Sequence, residues 1–488
     1  MRKKFEQQLR VDVIPIEKVK LPLKSRDELP PVLRALQHIY TTPSLSEEVF
    51  SILENHVMND KKATGRIGMS LWEILVLATV RLCLDADYDR LHVLANYDKL
   101  LRMILGVESS FGEGKQYGLQ TIKDNVQLLD EKVVDNINDI VVKAGHSLKK
   151  KEEGLRLKAD TYVLETNIHF PTDVNLQWDA GRKCLDTIKV LSDKYGIQGW
   201  RKFKFWYRKF KRTYRSLSKV CFGPGRKNEE RINELTKGYL RLAQELEEKI
   251  SESIVKGYEL FAVNDDIVLM ILVTELEKYL EYLRKLSNLV ERRILNGEKI
   301  PAEEKIYSIF EPHTEWLSKG KLGGKKVELG HNILVVSDQY DFIVHHQVVE
   351  KIADAHLTVP TVKKVKEKFK DKEIESISFD KNFYSKENKE QVSQLVNKTI
   401  IPKKGKRSLE EKQEEEAKEF KTLKNKHSAV EANINQLENN GLNRCPDKGL
   451  RNYRRYVALG VLSYNLHHLG KMLKQQEEKK KKVIKIAA

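Results

Sequence analysis

The sequence predicts an α+β protein: a mixed five-stranded sheet with flanking helices, a large all-α insertion after the first strand, and an N-terminal helical domain. Three observations carry this expectation. Residues 155–169 alternate apolar with polar, the period of a strand. Residues 175–310 lose that period and run almost wholly helical, with long charged, heptad-like stretches at 229–256 and 266–296. Strand signals then return at 326–336, 341–349 and 374–380.

Taken in order, residues 1–44 read as a loosely structured arm, because prolines at 15, 22, 30, 31 and 43 interrupt any long element. Residues 45–150 read as a compact bundle of short helices and a candidate recognition domain. Within it Ser70 caps an apolar helix beginning at Leu71, and further helices are expected at 88–105 and 121–144. The core is expected from 151–174 and 311–475, with the insertion at 175–310 and a lysine-rich tail at 476–488. In its second part, Ser337-Asp-Gln-Tyr joins two strands as a hairpin. A helix at 362–371 leads to the strand ending at Asp380, and a helix at 385–396 leads to a short strand at 399–402. Ser408 and Glu411 form a capping box for a helix expected to run to Asn440 and stop at Gly441. A last helix is expected at 450–475. This order of strands and helices is that of an RNase H-like core, in which the first and fourth strands lie side by side.

Composition narrows the partners. The 488 residues carry 88 Lys and Arg against 71 Asp and Glu, a formal net charge of +17 that points to a polyanion, nucleic acid first. The most apolar stretch, 71–84, contains Glu73 and Arg81 and is too short to span a bilayer. No secretory signal or membrane partner is expected. The four cysteines are scattered without metal-ligand spacing and read as reduced cytosolic thiols.

Neighbouring first and fourth strands would bring Asp160 and Asp380 together at one edge of the sheet, with Glu431 on the helix crossing it. Three carboxylates suit hard cations, which take oxygen ligands and leave positions open for phosphate oxygens. Two such ions (Mg²⁺, with Mn²⁺ the alternative) suit in-line transfer at a phosphodiester. Read blandly, Asp160 is a strand-edge acid and Glu431 a solvated helix position. Asp338 is a rival for the second acid, but it stands in a hairpin turn where Asp is favoured locally.

Several phrases carry a family resemblance. They are Arg66-Ile-Gly-Met-Ser-Leu-Trp-Glu-Ile-Leu-Val-Leu; Lys158-Ala-Asp-Thr-Tyr-Val-Leu-Glu-Thr-Asn-Ile-His-Phe-Pro-Thr-Asp; Ser308-Ile-Phe-Glu-Pro-His-Thr-Glu-Trp-Leu-Ser-Lys-Gly-Lys; Ser378-Phe-Asp-Lys-Asn-Phe-Tyr-Ser-Lys-Glu-Asn; and His427-Ser-Ala-Val-Glu-Ala-Asn-Ile with Arg444-Cys-Pro-Asp-Lys-Gly. In this order they resemble the insertion-sequence transposases of the DDE superfamily, most closely the ISNCY-type group, over about residues 45–470. The resemblance implies that Asp160, Asp380 and Glu431 are the catalytic acids and metal ligands. It implies cleavage and strand transfer at the terminal inverted repeats of a mobile element, with double-stranded DNA as partner. A homodimer on DNA and a bacterial, cytoplasmic, nucleoid-associated setting go with it. An RNase H-like nuclease without transposition and a decayed, DNA-binding copy are the alternatives.

One position departs from the pattern. Many DDE enzymes carry Lys or Arg two helical turns after the catalytic Glu, and here that position is Glu438. Phosphate contact is instead expected from Arg444, Arg454 and Arg455, and DNA-end contact from Trp316, Lys319 and Lys321, a structural role for Trp316 standing beside it. The basic-aromatic stretch 200–213 has two readings: it grips the DNA backbone, or it turns its aromatics into the insertion's own core. The seams of 229–256 and 266–296 are likewise open between self-packing and a dimer interface.

Overall fold

A computed structural model describes residues 13–58, 68–109, 112, 114–149, 154–225, 227–318 and 326–487, with side chains described as far as 482. The chain divides into two compact units, one made of the residues up to Asn167 and those from Leu317 onward, the other of Ile168–Trp316.

The first unit begins with seven helices: α1 (Leu29–Thr41), α2 (Pro43–Val57), α3 (Leu71–Cys83), α4 (Tyr88–Tyr97), α5 (Lys99–Leu105), α6 (Leu119–Val126) and α7 (Glu131–Ser147). Helix α1 corrects the expectation of a loose arm. Pro30 and Pro31 occupy its first turn, where a missing N–H costs nothing, and Val32, Leu33, Leu36 and Ile39 are buried behind them. The helices expected at 88–105 and 121–144 are each divided in two. Asp98 and Asp130 accept hydrogen bonds from Leu101 N (2.7 Å) and Val133 N (2.9 Å), so each starts a new helix.

Among the described residues seven strands form one mixed sheet: β1 (Leu155–Thr166), β2 (Glu315–Ser318), β3 (Val327–Ser337), β4 (Ile343–Val349), β5 (Ile374–Phe379), β6 (Lys398–Ile400) and β7 (Arg444–Cys445). The spine is β4-β3-β1-β5-β6: β3 is antiparallel to both β4 and β1, β5 is parallel to β1, and β6 is parallel to β5. Two short strands exceed the expected five, β2 beside β3 and β7 parallel to the end of β1.

After β4 come α12 (Asp354–Lys368), α13 (Lys386–Ser393), α14 (Leu409–Glu416), α15 (Lys418–Leu437) and α16 (Leu450–Ala487). One continuous helix was expected over 408–440, yet Ala417 is extended (φ −53, ψ 134) and separates α14 from α15. Helix α14 buries nothing, whereas burial in α15 starts at Phe420, so packing does not force the two into line. The stop at Gly441 stands as expected: its φ of 92 suits glycine, and a Cβ there would lie 2.4 Å from Asp85 Oδ1.

The N-terminal helices, expected as a separate domain, share one hydrophobic core with the sheet, and α16 is the reason. From Tyr453 to Leu466 it is buried on nearly every side, with α1, α3 and α7 against it. Asn465, fully buried, accepts from Ile343 N (2.9 Å) and donates to Ile343 O (2.8 Å) and to Asn138 Oδ1 (2.7 Å), tying α16 and α7 to the start of β4.

Strand β4 also carries His345 and His346 into the interior. Burial holds both imidazoles below their usual range, to about 3 and about 4, Asp135 opposing the effect at each. A folded-state pKa below the unfolded value near 6.5 means that the neutral rings stabilise the fold above about pH 6.5, and that this is lost as pH falls toward 4. Among the described residues His345 has no hydrogen-bond partner on either ring nitrogen, so its replacement orphans none of them. We expect His345→Met to remove about one proton from the acid sensitivity, roughly 1.4 kcal/mol per pH unit between pH 6 and 4, in urea unfolding at stepped pH. An unchanged slope would refute this.

The second unit is helical: α8 (Asp173–Tyr195), α9 (Phe203–Phe222), α10 (Glu229–Asn264) and α11 (Ile267–Val290). Tyr239, Leu242, Leu246 and Ile250 of α10 meet Val273, Leu276, Leu280 and Leu283 of α11 in one core, so these seams are self-packed. Among the described residues no helix is long and apolar enough to cross a membrane. None of the four cysteines is in a disulfide.

Candidate carboxylate site

Strand β1 changes its covered face midway. Leu155, Leu157 and Ala159 are buried on one face, Tyr162, Leu164 and Thr166 on the other, and the change falls at Asp160 and Thr161, both half-buried. An acid there keeps access to water while much of its surroundings is protein. The register sets its neighbour. Ala159 pairs with Phe379, so Asp160 and Asp380 are the next positions on two adjacent parallel strands. Helix α15 crosses the same face: Ser378 pairs with Lys158, and its hydroxyl lies 3.0 Å from His427 Nδ1. Glu431 follows His427 by one helical turn, on the same side of α15.

These acids act on one another's charge. Burial pushes the Asp160 carboxyl up to about 6; a 2.7 Å hydrogen bond from Thr161 N to its Oδ1 opposes this, and the negative charges of Asp380, Asp354 and Glu431 add to it. Asp354 is a fourth acid that the sequence reading did not single out. As the first residue of α12 it accepts a 3.3 Å hydrogen bond from Thr161 Oγ1. Burial raises it, the Thr161 bond opposes, and Asp380 raises it further. Burial holds His427 below the usual histidine range against the pull of Asp380 and Glu431, and among the described residues its Nε2 has no hydrogen-bond partner. Lys158, near His427, and Lys404, near Asp354, are the cations bordering the group.

All three predicted acids therefore belong to one cluster, with Asp354 and His427 added. In donor chemistry the cluster fits a hard divalent cation: carboxylate oxygens, half-buried on Asp160, Asp354 and Asp380 and exposed on Glu431, whose mutual repulsion a positive ion would relieve. Among the described residues no group of three or more His, Cys, Asp or Glu side chains is arranged as a metal site.

Asp338, the rival, is fully buried. Its Oδ1 accepts from Tyr340 N (2.8 Å) and Phe342 N (3.0 Å), and its Oδ2 lies 2.5 Å from His146 Nε2. It organises the β3–β4 turn, the local role expected of Asp there.

The expected DNA-contacting residues fall in both units. Trp316 is 37% exposed and packs on Tyr307 (5.6 Å between ring centres) and Phe170 (5.7 Å) within its own unit. Lys319 and Lys321 lie outside the described residues. Arg444 is exposed on β7, and Arg454 is ion-paired with Glu350. Arg455 requires correction. It is 4% exposed, donating to Asp447 Oδ2 (3.2 Å) and Gln127 O (3.3 Å), because this side of α16 faces the core. Such a guanidinium holds helices together and does not reach a phosphate.

Compared with protein-family models, curated proteins and solved structures, the chain matches none.

Proposed function

We propose that the protein is a DNA transposase with an RNase H-like core, cutting and joining DNA at the terminal inverted repeats of an insertion sequence with two divalent ions. The observation that carries the reading is the register that makes Asp160 on β1 and Asp380 just after β5 neighbouring positions, with α15, which carries Glu431, crossing the same face. The strand order β4-β3-β1-β5-β6 with its mixed directions supports the RNase H-like assignment, and the net charge of +17 supports a nucleic-acid substrate.

In this reading Asp160, Asp380 and Glu431 hold the ions, and Asp354 holds Thr161, beside Asp160, in place. When bound, Mg²⁺ or Mn²⁺ lowers the pKa of an attacking water or 3′-hydroxyl and steadies the leaving oxygen. His427 Nε2 offers a bare acceptor at the edge of the acid group, and Lys158 and Lys404 supply positive charge for the phosphate. Asp160, pushed up to about 6, carries its negative charge most of the time only above that pH, so cation uptake weakens as pH falls below about 6.

Binding linkage tests this without cleavage. Mg²⁺ is expected to raise the unfolding temperature of the wild type at pH 7.5, because a ligand that prefers the folded state stabilises it. Asp160→Asn and Asp380→Asn should lose that response. Asp354→Asn should keep part of it, with affinity lowered about 10-fold, as for a residue acting on a ligand's neighbour. An Mg²⁺ response equal in wild type and all three variants would place the ions elsewhere.

A further inference from the structure

We propose that helix α9 is a binding surface for the phosphate backbone of double-stranded DNA. The partner is the one the transposase reading requires, but the argument uses only charge and packing within the helical unit. Helix α9 has seven Lys and Arg residues and no Asp or Glu in 20 positions. Its aromatic side is consumed by the unit's own core. Tyr207 and Tyr214 pack on Trp178 (ring centres 5.6 and 5.5 Å apart), and Phe210 stacks on Tyr239 at 5.2 Å. Those rings are therefore not available to bases.

The opposite side is a stripe of cations. Arg208, Lys211, Arg212, Arg215 and Lys219, with Ser216 among them, line a shallow depression of ≈ 370 Å³. Among the described residues none of these five cations has an acidic partner. Elsewhere in the same unit several cations are matched: Lys209 with Glu245 (3.2 Å), Arg284 with Glu247 (2.6 Å) and Lys285 with Glu281 (2.6 Å). A merely solvated helix face mixes signs, as α10 and α11 do. Here Arg208 and Arg212, Lys211 and Arg215, and Arg215 and Lys219 are like charges four residues apart, which destabilise a helix. The aromatic side holds the helix in place against that repulsion, and nothing within the described unit benefits from it.

A polyanion would benefit. From Arg208 to Lys219 the stripe is about 16 Å long at about 1.5 Å per residue. Duplex DNA presents on the order of ten charges over that length of its axis. The stripe offers N–H and hydroxyl donors along its length, with Phe205 and Phe222 exposed at its two ends. It is suited to backbone contact, blind to sequence.

The test uses the full chain and two labelled 30-base-pair duplexes, one carrying the element's end and one of unrelated sequence, read by fluorescence anisotropy from 50 to 300 mM salt. The variant replaces four cations together, Arg208→Gln, Arg212→Gln, Arg215→Gln and Lys219→Gln. Affinity is expected to fall about 100-fold at 100 mM salt, and the slope of log K against log salt to become shallower by about three to four, equally on both duplexes. The control Lys278→Gln with Lys285→Gln should leave both unchanged. If the quadruple variant loses helix content by circular dichroism, Arg212→Gln and Arg215→Gln singly should each reduce the slope by about one. A folded variant with wild-type affinity and slope would overturn the proposal. So would loss of polyglutamate binding with duplex binding intact, which would assign the stripe to an acidic protein. A wild type that binds DNA through α9 yet never cuts would leave this surface standing and remove the transposase reading.

Discussion

Asp160→Asn, Asp380→Asn and Glu431→Gln are each expected to lower Mg²⁺-dependent nicking of an element-end duplex by about 10³-fold or more, with duplex binding retained. Each exchange keeps the side chain's size and removes one negative oxygen donor. A bound ion that polarises a phosphoryl oxygen is worth several kcal/mol to the transition state, and about 4 kcal/mol corresponds to about 10³ in rate. The same exchange at Asp160 should do the reverse to stability. Asp160's raised pKa means that its charge is disfavoured in the folded state at neutral pH, an effect absent below the unfolded value near 4 and complete above about 6. In EDTA at pH 7.5 the Asn variant should therefore be the more stable by about 1–2 kcal/mol, discounting for solvent screening. Lost activity with gained stability separates a site residue from a structural one. A variant that loses both would count against Asp160 as a ligand.

Asp447→Ala is expected to be the most damaging substitution for the fold. Arg81 of α3 and Arg455 of α16 are both almost fully buried and share this one carboxylate, Arg81 through 2.7 and 3.2 Å bonds and Arg455 through one of 3.2 Å. The Arg81 guanidinium also stands 4.0 Å over the Tyr88 ring. Removing the acid leaves two buried cations without an anion, a situation that costs about 3–5 kcal/mol. Denaturant unfolding should show that loss or yield insoluble protein. Arg455→Met with Arg81→Met in the same background should recover much of it, because the uncompensated charges go with the side chains. A single Asp447→Ala variant within about 1 kcal/mol of wild type would show that water or another acid reaches these guanidiniums.

The sheet was legible because its strands announce themselves locally. The alternation from Leu155 to Thr166 and the hairpin turn at Asp338 are period and turn chemistry, both written in short stretches of chain. Asp160 and Asp380 followed from strand order, and Glu431 from a helix placed after β6. Asp354 was not legible. An acid at the first position of a helix is what the helix dipole favours anyway, and only the Thr161 hydroxyl reveals its second role. Arg455 was misread for the opposite reason. It belongs to an arginine pair that looks solvent-facing, yet Tyr456, Val457, Ala458, Leu459 and Leu462 surround it with an apolar run that marks a helix buried on all sides. In α1 the prolines were read as breaks because their position relative to the helix start cannot be known before that start is placed. The stripe on α9 had two readings in sequence, core-facing aromatics or backbone-gripping cations. The packing assigns Tyr207, Phe210 and Tyr214 to the core, and the cations are left on the other side.

The central claim is that Asp160, Asp380 and Glu431 form one metal-dependent centre for cutting and joining DNA. A labelled duplex carrying the element's end is incubated with the protein, a supercoiled target plasmid and Mg²⁺ or EDTA, and label covalently joined to the plasmid is counted. The account predicts joined product for wild type with Mg²⁺, none with EDTA, and none for Asp160→Asn, Asp380→Asn or Glu431→Gln at matched DNA occupancy. Joining by all three variants at the wild-type rate, or a wild type that binds the end and never cuts it with Mg²⁺ or Mn²⁺, would contradict it.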